Sequence, residues 1–595
     1  MRENNIPAIP KIAEEELALL DLLLNEDQTT SQNDNELVAR TTDTEVPLSF
    51  AQESLLFLNH WHPDSAAYTI ALCLRLKGAL DTSCLKRAVA MIIEKHEILR
   101  THFPLNAGRA VQAITPNLSL PFEVKHVNNA DEAKQYAIKE ASRPFDLSKG
   151  PLFRTYLIQQ NETQYGLLLT FHHIIADAGS TQLLVEELAR YYTAFRQGTS
   201  SDNPPLKIQY GDYALWQRRH LDLSRNETRL AFWRRYLQSA SVTLLETDKR
   251  RRPQVRSRQG EEFCYLLPEQ LVKTLRAFSR LKGITLYMVL LAGFALFLRR
   301  YSGNSDVLFG TVVTHRDRPE LESLIGLFAD ILPLRLNLSG NPTVETLLQR
   351  VREQFLEVHE YALPFSTLVN ALQTTRNVDP LSFAPIVFEY HNTSIDELKF
   401  PGLSVEPTFI NTGTAKFDLH LSVEESEHGI HLACQYATDL YEADQVAQWL
   451  LHYQRLLEAM VAAPEQRIAS LSLLSPDESQ RLLKRWATSS CTDFTPSCCL
   501  HQAFQVQAAQ HAEAEAVSCG EVRISYGELD RRSNQLAHYL RQHGVGTETI
   551  VGVLLERSID LITALLAILK AGGAYLPLDP QAPFSSPVIT PPTPG

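Results

Sequence analysis

Between about residues 46 and 480 the chain alternates apolar runs of strand length with amphipathic helical stretches, which confines it to an α/β or α+β body. Residues 86–99 (KRAVAMIIEKHEIL) have helical character, and residues 166–171 (GLLLTF) read as a buried strand. Residues 181–195 return to helix, with Leu184, Leu188 and Tyr191 on one face. A polar stretch around 196–206 with two prolines predicts a surface crossing, and Leu286 to Arg299 predicts a further apolar helix. At 44 % hydrophobic residues, the 595-residue chain can bury a large core.

The flanks differ from this body. Residues 1–45 predict a short helix and a polar linker: Leu17, Leu20 and Leu24 share a face, preceded by Glu14, Glu15 and Glu16, and acidic residues suit a helix N-terminus. That helix either docks an upstream partner or packs on its own domain. A new unit starts near residue 497 and runs to about 580, and the Pro-rich tail 581–595 cannot continue a regular element. A net charge of -13 argues against a general nucleic-acid binder. No run of about 20 apolar residues predicts a transmembrane helix, and the start MRENNIPAIPK lacks the apolar core of a signal peptide. Eight cysteines without C-x-x-C spacing fit a reduced, cytoplasmic protein with no metal site.

The segment with most chemical content is Phe171-His172-His173-Ile174-Ile175-Ala176-Asp177-Ala178-Gly179-Ser180. A buried strand runs into paired histidines, and Ser180 is placed to cap the following helix. Neighbouring strand residues point to opposite faces, so one histidine can face a cleft while the other packs inward. A neutral histidine suits a general base, because its unperturbed pKa is about 6.5. The same pattern also fits core histidines and a turn aspartate. Asp177, four residues beyond His173, can anchor the turn by an ion pair or hydrogen bonds.

Several blocks in order across 45–480 resemble condensation domains of nonribosomal peptide synthetases. Ser49-Phe50-Ala51-Gln52 with Leu55 resembles the opening S-x-A-Q motif, with Ser54 and Leu56 in place of the family's Arg and Trp. Lys95-His96-Glu97-Ile98-Leu99-Arg100-Thr101-His102-Phe103 is similar to R-H-E-x-L-R-T-x-F, and Tyr210-Gly211-Asp212-Tyr213-Ala214-Leu215-Trp216 to Y-x-D-[FY]-A-x-W. Gly310 to Glu320, then Ile325-Gly326-Leu327-Phe328, Leu363-Pro364-Phe365 and Asp439-Leu440-Tyr441 complete the series. Departures are Ala178 for the family's Gly, Gly179 for a bulky residue, and Asp330-Ile331 for Asn-Thr; no R-D-x-S-R-N-P-L block is recognisable around Arg376 to Ser382.

The resemblance implies two chloramphenicol-acetyltransferase-like α/β lobes forming a V-shaped pseudodimer, an N-lobe at 46–215 and a C-lobe at 216–480. It implies formation of an amide bond between thioesters presented on phosphopantetheine arms by donor and acceptor peptidyl carrier proteins, with no cofactor bound to this chain. His173 would act on the attacking amine as base or as positioning group. His172 and Asp177 would hold the turn, with Arg316 as ion-pair partner of Asp177 or, alternatively, a solvated surface residue. Other synthetase subunits would be partners, through the N-terminal helix. Same-fold alternatives are a noncatalytic recruitment module, an epimerase, an acyltransferase with a free acceptor, or an inactive truncated synthetase fragment.

Residues 497–580 resemble the start of an adenylation domain. Ile524-Ser525-Tyr526-Gly527-Glu528-Leu529 is similar to [LI]-[TS]-Y-x-E-L, and Leu569 to Asp579 (LKAGGAYLPLD) to L-K-A-G-x-A-Y-L-P-x-D. The Ser/Thr/Gly-rich loop that cradles ATP phosphates does not follow, so amino-acid activation by this chain is not expected. A truncated, poorly folded tail is the competing expectation for this stretch.

Overall fold

The computed structural model describes residues 36–41, 44–61, 63–116, 118–199, 204–221, 226–247, 252–253, 257–372, 383–391, 400–426, 429–487 and 498–580. The expected N-terminal helix, the Arg376 to Ser382 stretch and the Pro-rich tail lie outside the described residues. The chain divides into two compact units, Met1–Pro476 and Asp477–Gly595.

The first unit holds two mixed sheets. Their strands are β1 (Thr69–Gly78), β2 (Phe122–His126), β3 (Phe153–Gln159), β4 (Gln164–His172), β5 (Gly260–Leu266), β6 (Asp306–Thr314), β7 (Ala329–Asn337), β8 (Ile386–His391), β9 (Leu403–Phe409), β10 (Leu419–Ser426) and β11 (Gly429–Ala437). The first sheet runs β9-β1-β4-β3-β2 and the second β7-β6-β8-β10-β11-β5. Register at the centre of the first sheet sets Thr69 opposite His172 and Ile70 opposite Phe171.

Helix α1 (Phe50–Trp61) packs by the His173–Ile175 turn, and α2 (Thr82–Lys95) and α3 (Ala178–Arg196) cover one face of the first sheet. Leu85, Ala88, Val89 and Ile92 of α2 and Leu184, Val185 and Leu188 of α3 repeat at helical spacing. They share one buried cluster with Leu72, Leu74, Leu167, Leu169 and Phe171, which alternate at strand spacing. Helix α2 starts earlier than the sequence suggests because the Asp81 carboxylate accepts from the N–H groups of Ser83 and Cys84. In the second half, helix α4 (Leu286–Ser302) is buried from Leu286 through Leu298 except Tyr287, so it is apolar all round. Among the described residues no single helix is long and apolar enough to cross a membrane.

The division into lobes at 215/216 does not partition the core. Strand β9, from the second half, pairs antiparallel with β1, Leu403 opposite Gly78 through Phe409 opposite Leu72. Leu321, Leu324, Ile325, Leu327 and Phe328 pack into the first core. The borrowed strand satisfies the backbone groups that the β1 edge would otherwise expose.

The second unit has helices Leu500–Gln510, Tyr526–Gln542 and Ile559–Ala571, an antiparallel pair (Glu515–Cys519, Val522–Ser525) and a parallel pair (Ile550–Val553, Ala574–Pro577). Its apolar clusters are small, built on Ile524, Leu529 and Ile559 and on Ala537, Ala567 and Ala571. Lys570 of the LKAGGAYLPLD block is an interior tie: its ammonium donates to Asp530 Oδ1 at 2.6 Å, Ser533 Oγ at 2.7 Å and Asn534 Oδ1 at 2.9 Å. The unit therefore has its own elements and core, while Tyr575, Leu576 and Leu578 are exposed.

Candidate active site

Strand β4 ends at His172, and His173 opens a short 3-10 turn, His173–Ile175. The two imidazoles separate as strand alternation predicts, but the turn sets His173, not a continuing strand. His172 is buried beside the rings of Tyr68 and Phe145, and its Nδ1 accepts from the N–H of Ile174 at 3.1 Å. Burial, followed by the charges of His173 and Lys416, pushes its pKa down to about 3.

His173 lines a cavity of about 300 Å³ together with Tyr68, Asp330, Glu389, Lys416 and His420. Its Nδ1 lies 2.8 Å from the Ala176 carbonyl oxygen. A carbonyl only accepts, so Nδ1 carries the proton and Nε2 keeps its lone pair. Among the described residues Nε2 has no hydrogen-bond partner. Burial, then the Lys416 cation, lowers the His173 pKa to about 4, which keeps the ring neutral near pH 7.

Asp177 is the N-cap of α3, and its carboxylate uses both oxygens. Oδ1 accepts from Ser180 N at 2.8 Å, Ser180 Oγ at 2.7 Å and Arg316 Nη2 at 3.2 Å; Oδ2 accepts from Phe328 N at 2.9 Å. The cap is thus Asp177 and not Ser180. An aspartate three residues before Ser180 reaches the free N–H at that position, leaving the serine hydroxyl to donate within the first turn. Ala178 is the first helical residue and its φ lies outside the left-handed region, so the position does not require glycine.

Arg316 is not a solvated surface side chain. Its Nη1 donates to the carbonyls of Leu321 and Leu324, both at 2.8 Å, and its guanidinium stacks 4.1 Å from the centre of the Phe328 ring. It brings the loop after β6 onto the turn that carries His173.

The other ordered blocks support the same turn. Gln52 Nε2 donates to the Ile174 carbonyl at 3.2 Å, and Ser49 Oγ and Tyr210 Oη lie 2.9 Å apart. Tyr210 Oη also reaches the Leu327 carbonyl at 2.7 Å. A Cβ on Gly326 would lie 1.9 Å from Tyr210 Cδ2, so only glycine fits against that ring. Lys95 and His96 both engage buried Glu187 of α3, at 2.5 and 2.9 Å. Arg40, which sequence reasoning did not single out, bridges Glu97 and Asp212 at 2.5 and 2.9 Å.

A second polar group on the cavity wall also escaped the sequence reading. Glu389 of β8 lies 3.1 Å from His391 Nε2 and 2.8 Å from His420 Nε2. Burial alone would raise its carboxyl, but those two histidines hold it well below the usual range. Against its own burial, His391 is raised to about 8 by Glu389. Asp330 accepts from the N–H groups of Ile331 at 2.8 Å and Phe365 at 3.1 Å, and burial raises its carboxyl. No short-range spacing links these residues to the histidine pair.

Residues 42–483 match the condensation domain family, and residues 504–585 match the AMP-binding enzyme family. A linear gramicidin synthase polypeptide of Brevibacillus parabrevis is 38 % identical over 93 % of this chain and 7 % of its own length. Malpinin synthetase of Mortierella alpina is 37 % identical over 90 % of this chain and 7 % of its own length. The chain thus spans a small part of these curated relatives. Among solved structures, the X-domain in complex with OxyB from teicoplanin biosynthesis aligns with a TM-score of 0.66 at 26 % identity, over 75 % of this chain and all of that one. The four-domain nonribosomal peptide synthetase holo-AB3403 aligns with a TM-score of 0.72 at 22 % identity, over 94 % of this chain and 43 % of that one. The first condensation domain of the CDA synthetase gives a TM-score of 0.64 at 20 % identity, over 73 % of this chain and all of that one. The first unit has the chloramphenicol-acetyltransferase-like fold that these structures share, and through residues 42–483 the chain belongs to the condensation domain family.

Proposed function

We propose that residues 42–483 form an amide bond between a donor acyl thioester and an acceptor amine, each delivered on the phosphopantetheine arm of a carrier protein. The observation that carries the reading is the neutral His173, whose Nδ1 is spent on Ala176 while Nε2 keeps a lone pair on a roomy cavity. Such a nitrogen can take a proton from an attacking amine or hold that amine by a hydrogen bond. His172, Asp177 and Arg316 serve to hold the turn. In the same reading, the carriers and neighbouring synthetase subunits are the partners.

The test is amide formation between two loaded carrier proteins. His173→Ala should lower it about 100-fold or more, the scale of general acid–base catalysis, while the protein stays folded. Unchanged turnover refutes the assignment. The likeness to the X-domain in complex with OxyB favours a second reading, a docking platform without chemistry. Carrier binding without amide formation by the wild-type chain would select it. For the second unit, we expect no amino-acid-dependent pyrophosphate exchange into ATP by the 595-residue chain, and robust exchange would overturn that expectation.

A further inference from the structure

The cavity contains a cation that the roles given so far leave unused. Lys416 lies on the segment between β9 and β10, flanked by the buried Ala415 and Phe417. Its ammonium sits 5.9 Å from the centre of the Tyr68 ring, and the Tyr68 carbonyl accepts from the backbone N–H of His173 at 2.7 Å. Lys416 and His173 therefore flank one residue and line one cavity.

The neighbouring carboxylates are already committed. Glu389 is held by His391 and His420, and Asp330 by two backbone N–H groups. Among the described residues the Lys416 ammonium makes no hydrogen bond or ion pair. Burial disfavours the Lys416 cation, and the Glu389 carboxylate, itself engaged by two histidines, favours it only at a distance. A largely desolvated cation with no direct ion pair is destabilising unless something arrives to meet it. Amide formation from a thioester supplies that anion, because negative charge collects on the carbonyl oxygen in the tetrahedral intermediate.

We propose that Lys416 is the oxyanion donor of the reaction, an inference that rests on the amide-forming reading given above. The acceptor nitrogen attacks the thioester carbon, forming the C–N bond and moving the π electrons onto the carbonyl oxygen. His173 Nε2 takes the proton that the nitrogen sheds. An N–H of Lys416 donates to the oxyanion without transferring its proton. When the oxygen lone pair re-forms the carbonyl, the C–S bond breaks, and the departing thiolate receives the proton from His173. The products are an amide and a free thiol, and both side chains return to their starting states.

The same placement has a second effect. Lys416 opposes protonation of His173, while Asp177 and Glu389 favour it. The other titratable groups on the cavity are Glu53, Tyr68, Asp330 and His420, with His172 behind the turn. Removing the cation should therefore move the acid limb of the pH–rate profile to higher pH, whereas Lys416→Arg, which keeps the charge, should leave it in place.

The experiment measures amide formation with loaded donor and acceptor carriers for the wild type, His173→Ala, Lys416→Met and Lys416→Arg. Activity in the wild type and its loss in His173→Ala establish the reading on which the inference rests; an inactive wild type would sink that reading first. With it established, Lys416→Met should lower kcat about 100-fold to 1,000-fold, the effect of removing one oxyanion donor, with little change in KM. Its acid limb should move upward, and Lys416→Arg should recover part of kcat. A Lys416→Met enzyme with wild-type kcat overturns the proposal, and so does a loss confined to KM with an unmoved pH profile. If Lys416→Met does not fold, Lys416→Gln is judged by the same kcat and pH criteria, with Lys416→Arg as the variant that keeps the charge.

Discussion

Arg316 Nη2 meets Asp177 Oδ1 at 3.2 Å across 139 residues of chain, and this contact joins the turn bearing His173 to the loop after β6. Both side chains are largely buried, at 13 % and 4 % exposure. Deleting one partner strands the other charge, at a cost of about 3–5 kcal/mol. Asp177→Asn and Arg316→Ala should each destabilise the protein in denaturant titrations. The double variant should lose less than the sum, since the second change removes a charge already stranded. Strict additivity would show that the two side chains do not act as a pair.

Gly326 is fixed by the ring of Tyr210. Gly326→Ala puts a methyl 1.9 Å from Tyr210 Cδ2, and moving the ring breaks its bonds to Ser49 and the Leu327 carbonyl. Overpacking of this kind costs about 1–3 kcal/mol, to which the lost bonds add. Gly546→Ala, where nothing lies within 4 Å, serves as the control and should leave thermal stability almost unchanged. Equal melting temperatures for the two variants would contradict the account of the Gly326 contact.

The neutral His172 sets a direction for stability against pH. Its pKa is about 3 in the folded chain and about 6.5 when unfolded, so below pH 6.5 the unfolded chain binds the extra proton. Stability is full above that value and falls as the pH drops toward 3, by up to about 1.4 kcal/mol per pH unit for this one group. His172→Gln should flatten that slope in thermal melts between pH 6.5 and 4. A slope identical to the wild type would assign the acid sensitivity to other groups.

His173 gives the matching prediction for rate. With a pKa of about 4, its neutral form persists well below the ordinary histidine range. The acid limb of kcat/KM for carrier-bound substrates should lie nearer pH 4 than 6.5, measured where the protein is still folded. A limb at 6.5 would place His173 in a more solvated, less cationic setting than the cavity provides.

Much of the site is legible in the sequence because its signals are local. The buried apolar run 166–171 and the helical spacing at Leu184, Leu188 and Tyr191 reappear in β4 and α3. Leu167 and Leu169 enter one core and Leu168 another, so the strand is apolar throughout, while α3 buries one face and keeps the helical period. The His172-His173 pair and Asp177 lie within six residues, so one strand end and one helix cap place all three. The cap itself falls to Asp177 where the sequence points to Ser180, because several polar residues compete over the same few N–H groups and only backbone geometry selects one.

The sequence by itself determined the alternating elements, the family blocks and the histidine pair, all of which depend on neighbours a few residues apart. Tertiary structure alone decided that β9 completes the first sheet and that Arg40 bridges Glu97 and Asp212. It also decided that Lys416, Glu389 and His420 share a cavity with His173. Those placements join segments more than 50 and up to several hundred residues apart. They follow from long-range strand pairing and the desolvation it produces, and no periodicity or spacing along the chain encodes which buried charges will meet.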